Sequence, residues 1–294
     1  MHKTRYNALS LTFRLSPKGP LLIKAGGISA DPSLPDMQFV RTFHPQKGET
    51  VYIPGSSLKG VVRGFVEKAL RTLDDRASWR WACATFPDED ESCAKRLEKE
   101  ESSAVIYRKS CGVCRIFGHT RLKGRASFTD LLPVDEVKTE IRYGVAISRL
   151  SHAVAHGPFE MEVVVSGAFE GHLVLENFEI WQLGLVALAL ESMNQGLIKV
   201  GFGKNRGFGE MAVTVQQACL DEVASGVETT VWRGLAAFVS EEEKKDYGLA
   251  APPSLSDMPQ PAKVKAAGLY TRRLYGPDQW VQITHNAVEA LGTS

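Results

Sequence analysis

The segment that decides the fold reads Ile53-Pro54-Gly55-Ser56-Ser57-Leu58-Lys59-Gly60-Val61-Val62-Arg63. Apolar residues recur from there at the spacing of a helix, at Leu58, Val61, Val62, Phe65, Val66, Ala69 and Leu70. Ser56 or Ser57 is predicted to cap this helix. Because the first backbone N–H groups of a helix have no partner within it, Lys59 and Arg63 would lie beside exposed donors. That combination favours an anionic ligand.

Strand patterns lie on both sides of this helix. Residues 9–15 alternate apolar and polar side chains, and residues 21–23 resume an apolar run after a Pro-Lys-Gly-Pro turn, which predicts a hairpin. Further strands are predicted at 126–133, 145–150, 160–175 and 210–215, with a second helix capped by Asn177 and ending near Gly196. This order predicts an α+β fold with a ferredoxin-like or RRM-like core. Helices would cover one sheet face and leave the other open, where RNA-recognition folds hold a single strand.

The composition excludes several classes of protein. The chain has 294 residues, 44% hydrophobic content and a formal net charge of +1. It can bury a substantial core, and any nucleic-acid contact must come from local groups of Lys and Arg. No run approaches the roughly 18 apolar residues of a membrane helix, and the first residues lack a secretory pattern. We therefore expect a cytoplasmic protein with no membrane partner.

Four of the five cysteines fall in one short stretch, at Cys83, Cys93, Cys111 and Cys114. The last two form a Cys-x-x-Cys pair, whose tight turn can place two thiolates on one tetrahedral ion. We interpret the cluster as a structural Zn²⁺ site within an inserted subdomain at about 79–120. Free thiols or a redox pair are the alternative, and His119 is close enough in sequence to replace one sulfur.

The segment Gly201-Phe202-Gly203-Lys204-Asn205-Arg206-Gly207-Phe208-Gly209 is rich in glycine, cations and aromatic residues. Glycine lets a backbone approach a ligand closely, and the cations can hold phosphates while the rings offer stacking surfaces. A tight turn without a ligand is the alternative interpretation. The segment is not a Walker loop, because no Gly-Lys-Ser/Thr ending precedes a helix.

Three of these elements, in this order, resemble the RAMP-superfamily subunits of type III CRISPR-Cas effector complexes. They are the segment at 53–63, the run Cys111-Gly112-Val113-Cys114-Arg115-Ile116-Phe117-Gly118 and the glycine-rich loop. The similarity covers about residues 5–217 and is greatest to the backbone subunits, which bind guide RNA (crRNA). The implied partners are crRNA, complementary target RNA, other effector subunits and further copies of related backbone subunits.

The resemblance also implies the domain organisation. Residues 1–217 would form the RNA-binding domain, with the zinc insertion and a hairpin arm at about 134–165. Residues 218–294 would form a C-terminal extension that docks on a neighbouring subunit. Within that extension, residues 251–261 are predicted to be a proline-rich linker, and the last thirty or so residues show no clear period.

In the family's backbone subunits, a loop aspartate before the Ile-Pro-Gly-Ser-Ser element is required for metal-dependent cleavage of target RNA. Asp36 takes that position here, with Asp31 as the alternative. A carboxylate can hold Mg²⁺ or Mn²⁺ at the scissile phosphate while the RNA supplies the attacking 2′-hydroxyl. Met37 and Gln38 depart from the family's usual residues after the aspartate, and an aspartate that only initiates a turn is the alternative.

The candidate RNA contacts lie around the loop before the first helix, at the start of that helix, in the arm and in the glycine-rich loop. These residues are Lys24, Arg41, Ser56, Ser57, Lys59, Arg63, Arg149, Gly203, Lys204, Asn205 and Arg206. Residues 145–150 and 153–160 resemble the family's arm, which wedges between guide and target bases; an ordinary hairpin tip is the alternative. Cations paired on the surface are the alternative to each cationic contact.

Three functions are compatible with these features. The first is a backbone subunit that binds crRNA and cleaves the complementary target RNA as a metal-dependent endoribonuclease. The second is a non-catalytic crRNA-binding scaffold. The third is a guide-processing endoribonuclease that works without metal, with His44 as its candidate catalytic residue.

Overall fold

The computed structural model describes residues 3–26, 33–84, 86, 89–223 and 228–293. Its helices are α1 (Gly55–Leu73), α2 (Cys93–Arg96), α3 (Ser103–Lys109), α4 (Gly112–Phe117), α5 (Ile180–Asn194), α6 (Glu241–Tyr247) and α7 (Pro277–Thr293). Its strands are β1 (Asn7–Pro17), β2 (Arg41–His44), β3 (Gly48–Val51), β4 (Ala126–Phe128), β5 (Leu132–Pro133), β6 (Lys138–Ile147), β7 (Val154–Ser166), β8 (Phe169–Glu176), β9 (Met211–Val223), β10 (Trp232–Arg233), β11 (Ser254–Leu255), β12 (Lys263–Ala267) and β13 (Tyr270–Tyr275). None of the described helices combines the length and apolar character needed to cross a membrane.

An antiparallel sheet in the order β12-β13-β9-β1-β8-β4, with β5 also on β8, carries the core. Its central strand β1 alternates as predicted, and Leu9, Leu11, Phe13 and Leu15 are fully buried. Helices α1, α5 and α7 cover that face. The predicted α+β fold with a helix-covered antiparallel sheet is therefore confirmed.

The hairpin predicted from residues 9–15 and 21–23 is wrong. Both edges of β1 are occupied, by β8 on one side and β9 on the other. Leu21 instead exchanges backbone hydrogen bonds of 2.8 Å with Val164 of β7. The segment after the turn therefore crosses toward the arm, the β6–β7 hairpin.

The predicted helix caps are also wrong. Helix α1 begins at Gly55, before either predicted cap, and its first N–H donates to the distant Asp130 carboxylate at 2.8 Å. Helix α5 is capped by Glu179 and Gln182 in a reciprocal capping box. Asn177 instead accepts a hydrogen bond from the Tyr6 N–H at 2.8 Å. These caps could not be predicted from the local sequence. The residue that caps α1 is remote in the chain, and the side chain of Asn177 is engaged by the segment just before β1.

The C-terminal segment continues the same sheet. Strand β9 runs through the boundary predicted at residue 217, and β13 pairs with β9 beyond it. Arg273 of β13 forms a buried ion pair with Glu222 of β9. Docking of this segment on a neighbouring subunit stays a prediction.

The last residues form a helix, contrary to the expectation that they lack a period. Helix α7 buries Trp280, Ile283, Ala287 and Ala290 at helical spacing. It packs against α5 at Gly184, where an added Cβ would lie 2.4 Å from the Ala287 carbonyl oxygen. The pattern was hard to recognise because two of its four apolar positions are alanines.

Candidate functional site

The four clustered cysteines converge on one point. Cys93, Cys111 and Cys114 are buried and Cys83 is half-buried. Their sulfur atoms all lie within 4.8 Å of one another. Across the part of the chain that the structure describes, this is the one group of at least three His, Cys, Asp or Glu side chains so arranged. The cysteines predicted from the sequence are therefore brought together in a cluster that can hold a metal ion.

The geometry of the cluster fits a tetrahedral ion. The sulfurs of Cys83 and Cys114 are 3.7 Å apart. A tetrahedron with zinc–sulfur bonds of about 2.3 Å has sulfurs about 3.8 Å apart, whereas a disulfide bond is far shorter. Backbone N–H groups of Cys111 and Cys114 donate to the sulfurs of Cys93 and Cys111, at 3.3 and 3.4 Å. Such outer contacts orient thiolate ligands.

Positive charge beside the cluster supports thiolates. Arg63 donates toward the Cys114 sulfur at 3.9 Å while also binding Glu67 at 2.9 Å. Hydrogen bonds among the four cysteine side chains lower the pKa of Cys83 and raise the pKa values of Cys93 and Cys114, so the cluster shares its protons. His119 points its ring nitrogens elsewhere, with Nε2 3.1 Å from the Ser110 hydroxyl. The cluster is thus a four-sulfur set without His119.

The glycine-rich loop presents a cationic tip. Gly201, Gly203, Gly207 and Gly209 all have positive φ. A 3-10 turn at Lys204–Arg206 carries three exposed side chains, and the Arg206 guanidinium lies 4.9 Å from the centre of the Phe202 ring. Phe208 is buried, so it is not available as a surface for base stacking.

Glycine at position 209 is required by both conformation and space. We expect Gly209→Ala to destabilise the protein by roughly 2–4 kcal/mol, because αL strain adds to steric overlap. An added Cβ would lie 2.0 Å from the Val200 carbonyl oxygen. Gly207→Ala is the matched control, since Gly207 also has positive φ but no atom within 4 Å of the added Cβ. Urea unfolding of both variants checks this, and equal losses would contradict it.

Backbone hydrogen bonds connect the predicted RNA-contacting segments into one side of the molecule. The Phe202 N–H donates to the Leu22 carbonyl at 2.7 Å, and the Val40 N–H donates to the Ile23 carbonyl at 2.9 Å. The Tyr52 N–H in turn reaches the Val40 carbonyl at 3.4 Å, just before α1 begins. The glycine-rich loop, residues 20–25, residues 37–40 and the start of α1 are therefore adjacent. We call this surface the loop groove.

The cations of the loop groove differ in how far they are neutralised. Lys24, Lys204 and Arg206 are exposed, and within the described ranges no ion pair involves them. Arg41, next to the groove, forms an ion pair with Glu162. Arg63 lies further along α1 and contacts Glu67 and the Cys114 sulfur, so its charge faces the cysteine cluster. The exposed cations thus leave the most positive charge for a ligand.

Polar groups at the start of α1 line the same groove. Ser56 is exposed and Ser57 half-buried. Burial, followed by the charge of Arg63, lowers the pKa of Lys59. The groove therefore combines hydroxyl groups with cations around a helix N-terminus whose first N–H is already bound by the Asp130 carboxylate.

Asp36 lies at the base of the arm. Its side chain is exposed and its Oδ2 accepts the backbone N–H of Glu160 at 2.8 Å. The Met37 N–H continues this contact to the Glu160 carbonyl at 3.0 Å. Asp36 is thereby held between the loop groove and β7. Asp31, the alternative candidate, lies outside the described residues.

The arm projects apolar side chains into solvent. Strands β6 and β7 expose Tyr143, Val145, Ile147 and Val154, and Leu150 in the connecting turn is 95% exposed. Arg149 is exposed in that turn, away from the loop groove. Neighbouring exposed apolar side chains of this kind mark an interaction surface.

On its central strands β1 and β8, the open sheet face is polar. On β1, Thr12 and Arg14 face His172 and Glu170 of β8, and Arg14 pairs with Glu170 at 2.8 Å. The aromatic residues of β1 and β8, Phe13 and Phe169, are on the buried side. Single-strand binding on a sheet uses aromatic side chains, so the loop groove is the better RNA surface.

Glu162 contributes to the site and was not predicted from the sequence. Glu162 of β7 accepts the Phe39 N–H at 3.0 Å as well as pairing with Arg41. The signal in the sequence that could have identified Glu162 is an acidic residue inside the apolar run of β7.

His44, the candidate for metal-free cleavage, accepts the N–H groups of Gln46 and Lys47 on Nδ1 at 3.2 and 3.3 Å. That nitrogen therefore stabilises a turn.

The helix-covered antiparallel sheet with its glycine-rich loop defines a ferredoxin-like protein. Comparison with known families matches residues 14–212 to the RAMP superfamily. That match covers more than half of the chain, so the protein belongs to the RAMP superfamily. The superfamily is associated with RNA-binding subunits of CRISPR-Cas systems and includes ribonucleases. A comparison with curated proteins finds no match.

Proposed function

We propose that this protein is the crRNA-binding backbone subunit of a type III CRISPR-Cas effector complex and that it cleaves the complementary target RNA. The observation that carries the proposal is the convergence of the glycine-rich loop, the start of α1 and the Asp36 loop at the base of the arm. A backbone subunit needs a groove for one strand and a reactive group facing the other. The cysteine cluster would hold a structural Zn²⁺, because a closed four-sulfur set leaves no position for a reacting water.

Guide binding would use phosphate contacts. The exposed Lys204 and Arg206 sit on a loop whose backbone is fixed by hydrogen bonds to residues 20 and 22. Cations on a fixed loop lose little conformational freedom when they bind. Contacts to phosphate carry no sequence information, which suits a protein that must accept any guide.

Removing the two loop cations is expected to weaken RNA binding several-fold. In Lys204→Gln/Arg206→Gln, the slope of log affinity against log salt should fall by about 0.7 per lost phosphate contact. Fluorescence anisotropy with labelled crRNA over a salt series measures both quantities. Lys263→Gln is the control, since Lys263 is an exposed cation on the edge strand β12. An unchanged slope in the double variant would remove the loop from the guide site.

Cleavage would depend on Asp36. Its carboxylate oxygen is held by the Glu160 N–H and faces solvent beside the arm, where a displaced target strand would pass. Mg²⁺ or Mn²⁺, when bound, supplies positive charge that offsets the charge building on the scissile phosphate. Magnesium commonly uses one or two carboxylates and completes its shell with phosphates and water, so a single Asp36 suffices as the protein ligand.

A non-catalytic crRNA-binding scaffold is the second candidate, and one observation favours it. In the part of the chain that the structure describes, no cluster of three acidic or histidine side chains surrounds Asp36. Incubating the purified complex with matched target RNA separates the two candidates. Cutting that stops with EDTA and resumes on adding Mg²⁺ supports the nuclease. Absence of any metal-dependent product supports the scaffold.

A further inference from the structure

A second cationic surface lies outside the loop groove. A concavity of about 640 Å³ on the cysteine-bearing segment is lined by five cations and one carboxylate, with Trp81 and Leu97 beneath them. The cations are Arg76, Arg96, Lys99, Arg108 and Lys109, and the carboxylate is Glu100. All five cations are exposed. We call this the basic pocket.

Several of these cations are held in place before any ligand arrives. The guanidinium groups of Arg96 and Arg76 lie 5.1 and 5.5 Å from the centre of the Trp81 ring. Arg96 also donates to the Lys109 carbonyl at 2.8 Å, and Arg108 donates to the Lys245 carbonyl at 3.4 Å. Guanidinium groups fixed by stacking and carbonyl contacts lose little freedom on binding.

The charge of the basic pocket is only partly compensated. Lys109 and Glu100 are 3.5 Å apart, and Arg76 lies 3.4 Å from Asp74 and 3.7 Å from Glu91, which are both exposed. Exposed pairs of this kind are weak, and their cations can exchange partners. Lys99 has no ion pair within the described ranges. Net positive charge therefore remains for an anionic ligand.

The basic pocket is distant from the loop groove. Arg76 follows the C-terminal end of α1, whereas Ser56 and Lys59 lie at its N-terminal end. A helix of 19 residues is about 28 Å long. One phosphate cannot contact both surfaces, so the basic pocket is a separate site.

We propose that the basic pocket is a second RNA-binding site that takes backbone phosphates of a single strand, an inference that rests on the proposed RNA-binding function. Phosphate is favoured over an acidic protein surface because the pocket offers no exposed apolar anchor. Trp81 and Leu97 are 6% and 4% exposed, and the guanidinium groups cover the Trp81 ring. Protein interfaces depend on such anchors, whereas phosphate contacts do not.

The test uses the full-length protein and a labelled oligouridine of about 30 nucleotides, long enough to span both surfaces. We expect Arg76→Gln/Lys99→Gln to bind it about threefold or more weakly, with a salt slope lower by about 0.7 per cation. Both residues are exposed and contact no cysteine sulfur, so the unfolding midpoint should fall only slightly, through the loss of the Arg76 contact with Trp81. Lys263→Gln is again the control. Labelled polyglutamate is titrated in parallel.

The outcomes are distinguishable. If wild-type protein binds RNA and the double variant matches it in affinity and salt slope, the basic pocket is not an RNA site while the loop groove stands. If the variant loses polyglutamate binding alone, the pocket docks an acidic protein and the inference is overturned. If wild-type protein binds no RNA, this inference and the proposed function fail together. Losses that add to those of Lys204→Gln/Arg206→Gln support two separate sites.

Discussion

Asp36→Asn is expected to lower target-RNA cleavage by about 100-fold or more while crRNA binding stays at the wild-type level. Asparagine keeps the side-chain oxygen that accepts the Glu160 N–H, so the loop and the base of the arm stay in place. What is lost is the negative charge that would hold a divalent cation at the scissile phosphate. Gel analysis of cleavage products and anisotropy with labelled crRNA measure the two properties separately.

Asp135→Asn is the matched control for this substitution. Asp135 is likewise an exposed loop aspartate, and it accepts the Ala168 N–H at 2.7 Å. Asp135 lies beside the C-terminal end of β7, whereas Asp36 contacts the middle of that strand. Asp135 should therefore be dispensable for cleavage. Wild-type cutting by Asp36→Asn would exclude Asp36 as the catalytic residue. If cutting by this variant still depends on Mg²⁺, Asp31 would become the candidate catalytic residue.

Much of the fold was predictable because its patterns are local. Helix α1 buries Leu58, Val62, Val66 and Leu70 on one side, and that period is visible in the sequence. Strand β1 shows the alternation of a half-buried strand. Both elements pack one face and expose the other, which is the condition under which periodicity is informative.

The failed predictions concern partners that are remote in sequence. The segment at 21–23 looks like the second strand of a hairpin, yet β1 prefers β8 and β9, which lie far along the chain. The cap of α1 comes from Asp130, far beyond the helix itself. A sequence pattern identifies what a segment can do locally, but it does not rank competing tertiary partners.

The candidate site could be predicted only in part, because some of its features also depend on partners that are remote in sequence. The four cysteines are recognisable by residue type, and the structure brings them together. The cations of the loop groove were recognisable only as cations. Arg41 and Arg63 form ion pairs with Glu162 and Glu67, whose positions depend on how β7 and α1 are placed in the fold. Charge that remains available to a ligand is a property of the folded surface, as the basic pocket also illustrates.

The second large effect is expected at the cysteine cluster, where Cys114→Ser should remove about one zinc ion per chain. Structural zinc stabilises the fold that binds it, so the loss should cost at least about 4 kcal/mol. At roughly 2–4 °C per kcal/mol, Tm should fall by about 8 °C or more. Mass spectrometry under native conditions gives the metal content, and a thermal scan gives Tm.

Cys219→Ser supplies the comparison, because Cys219 is half-buried, lies outside the cluster and donates to the Asp221 carboxylate at 3.8 Å. It should keep its zinc and most of its Tm. Serine is close in size to cysteine, so a cluster of free thiols without a metal would tolerate the change with a smaller loss. A Cys114→Ser protein that melts like wild type, with an equal metal content, would therefore show that the cluster is not a zinc site. The large effect would be specific to a bound metal, because α4, which carries Cys114, packs against α1, and a metal in the cluster would join α4 to Cys83 and Cys93.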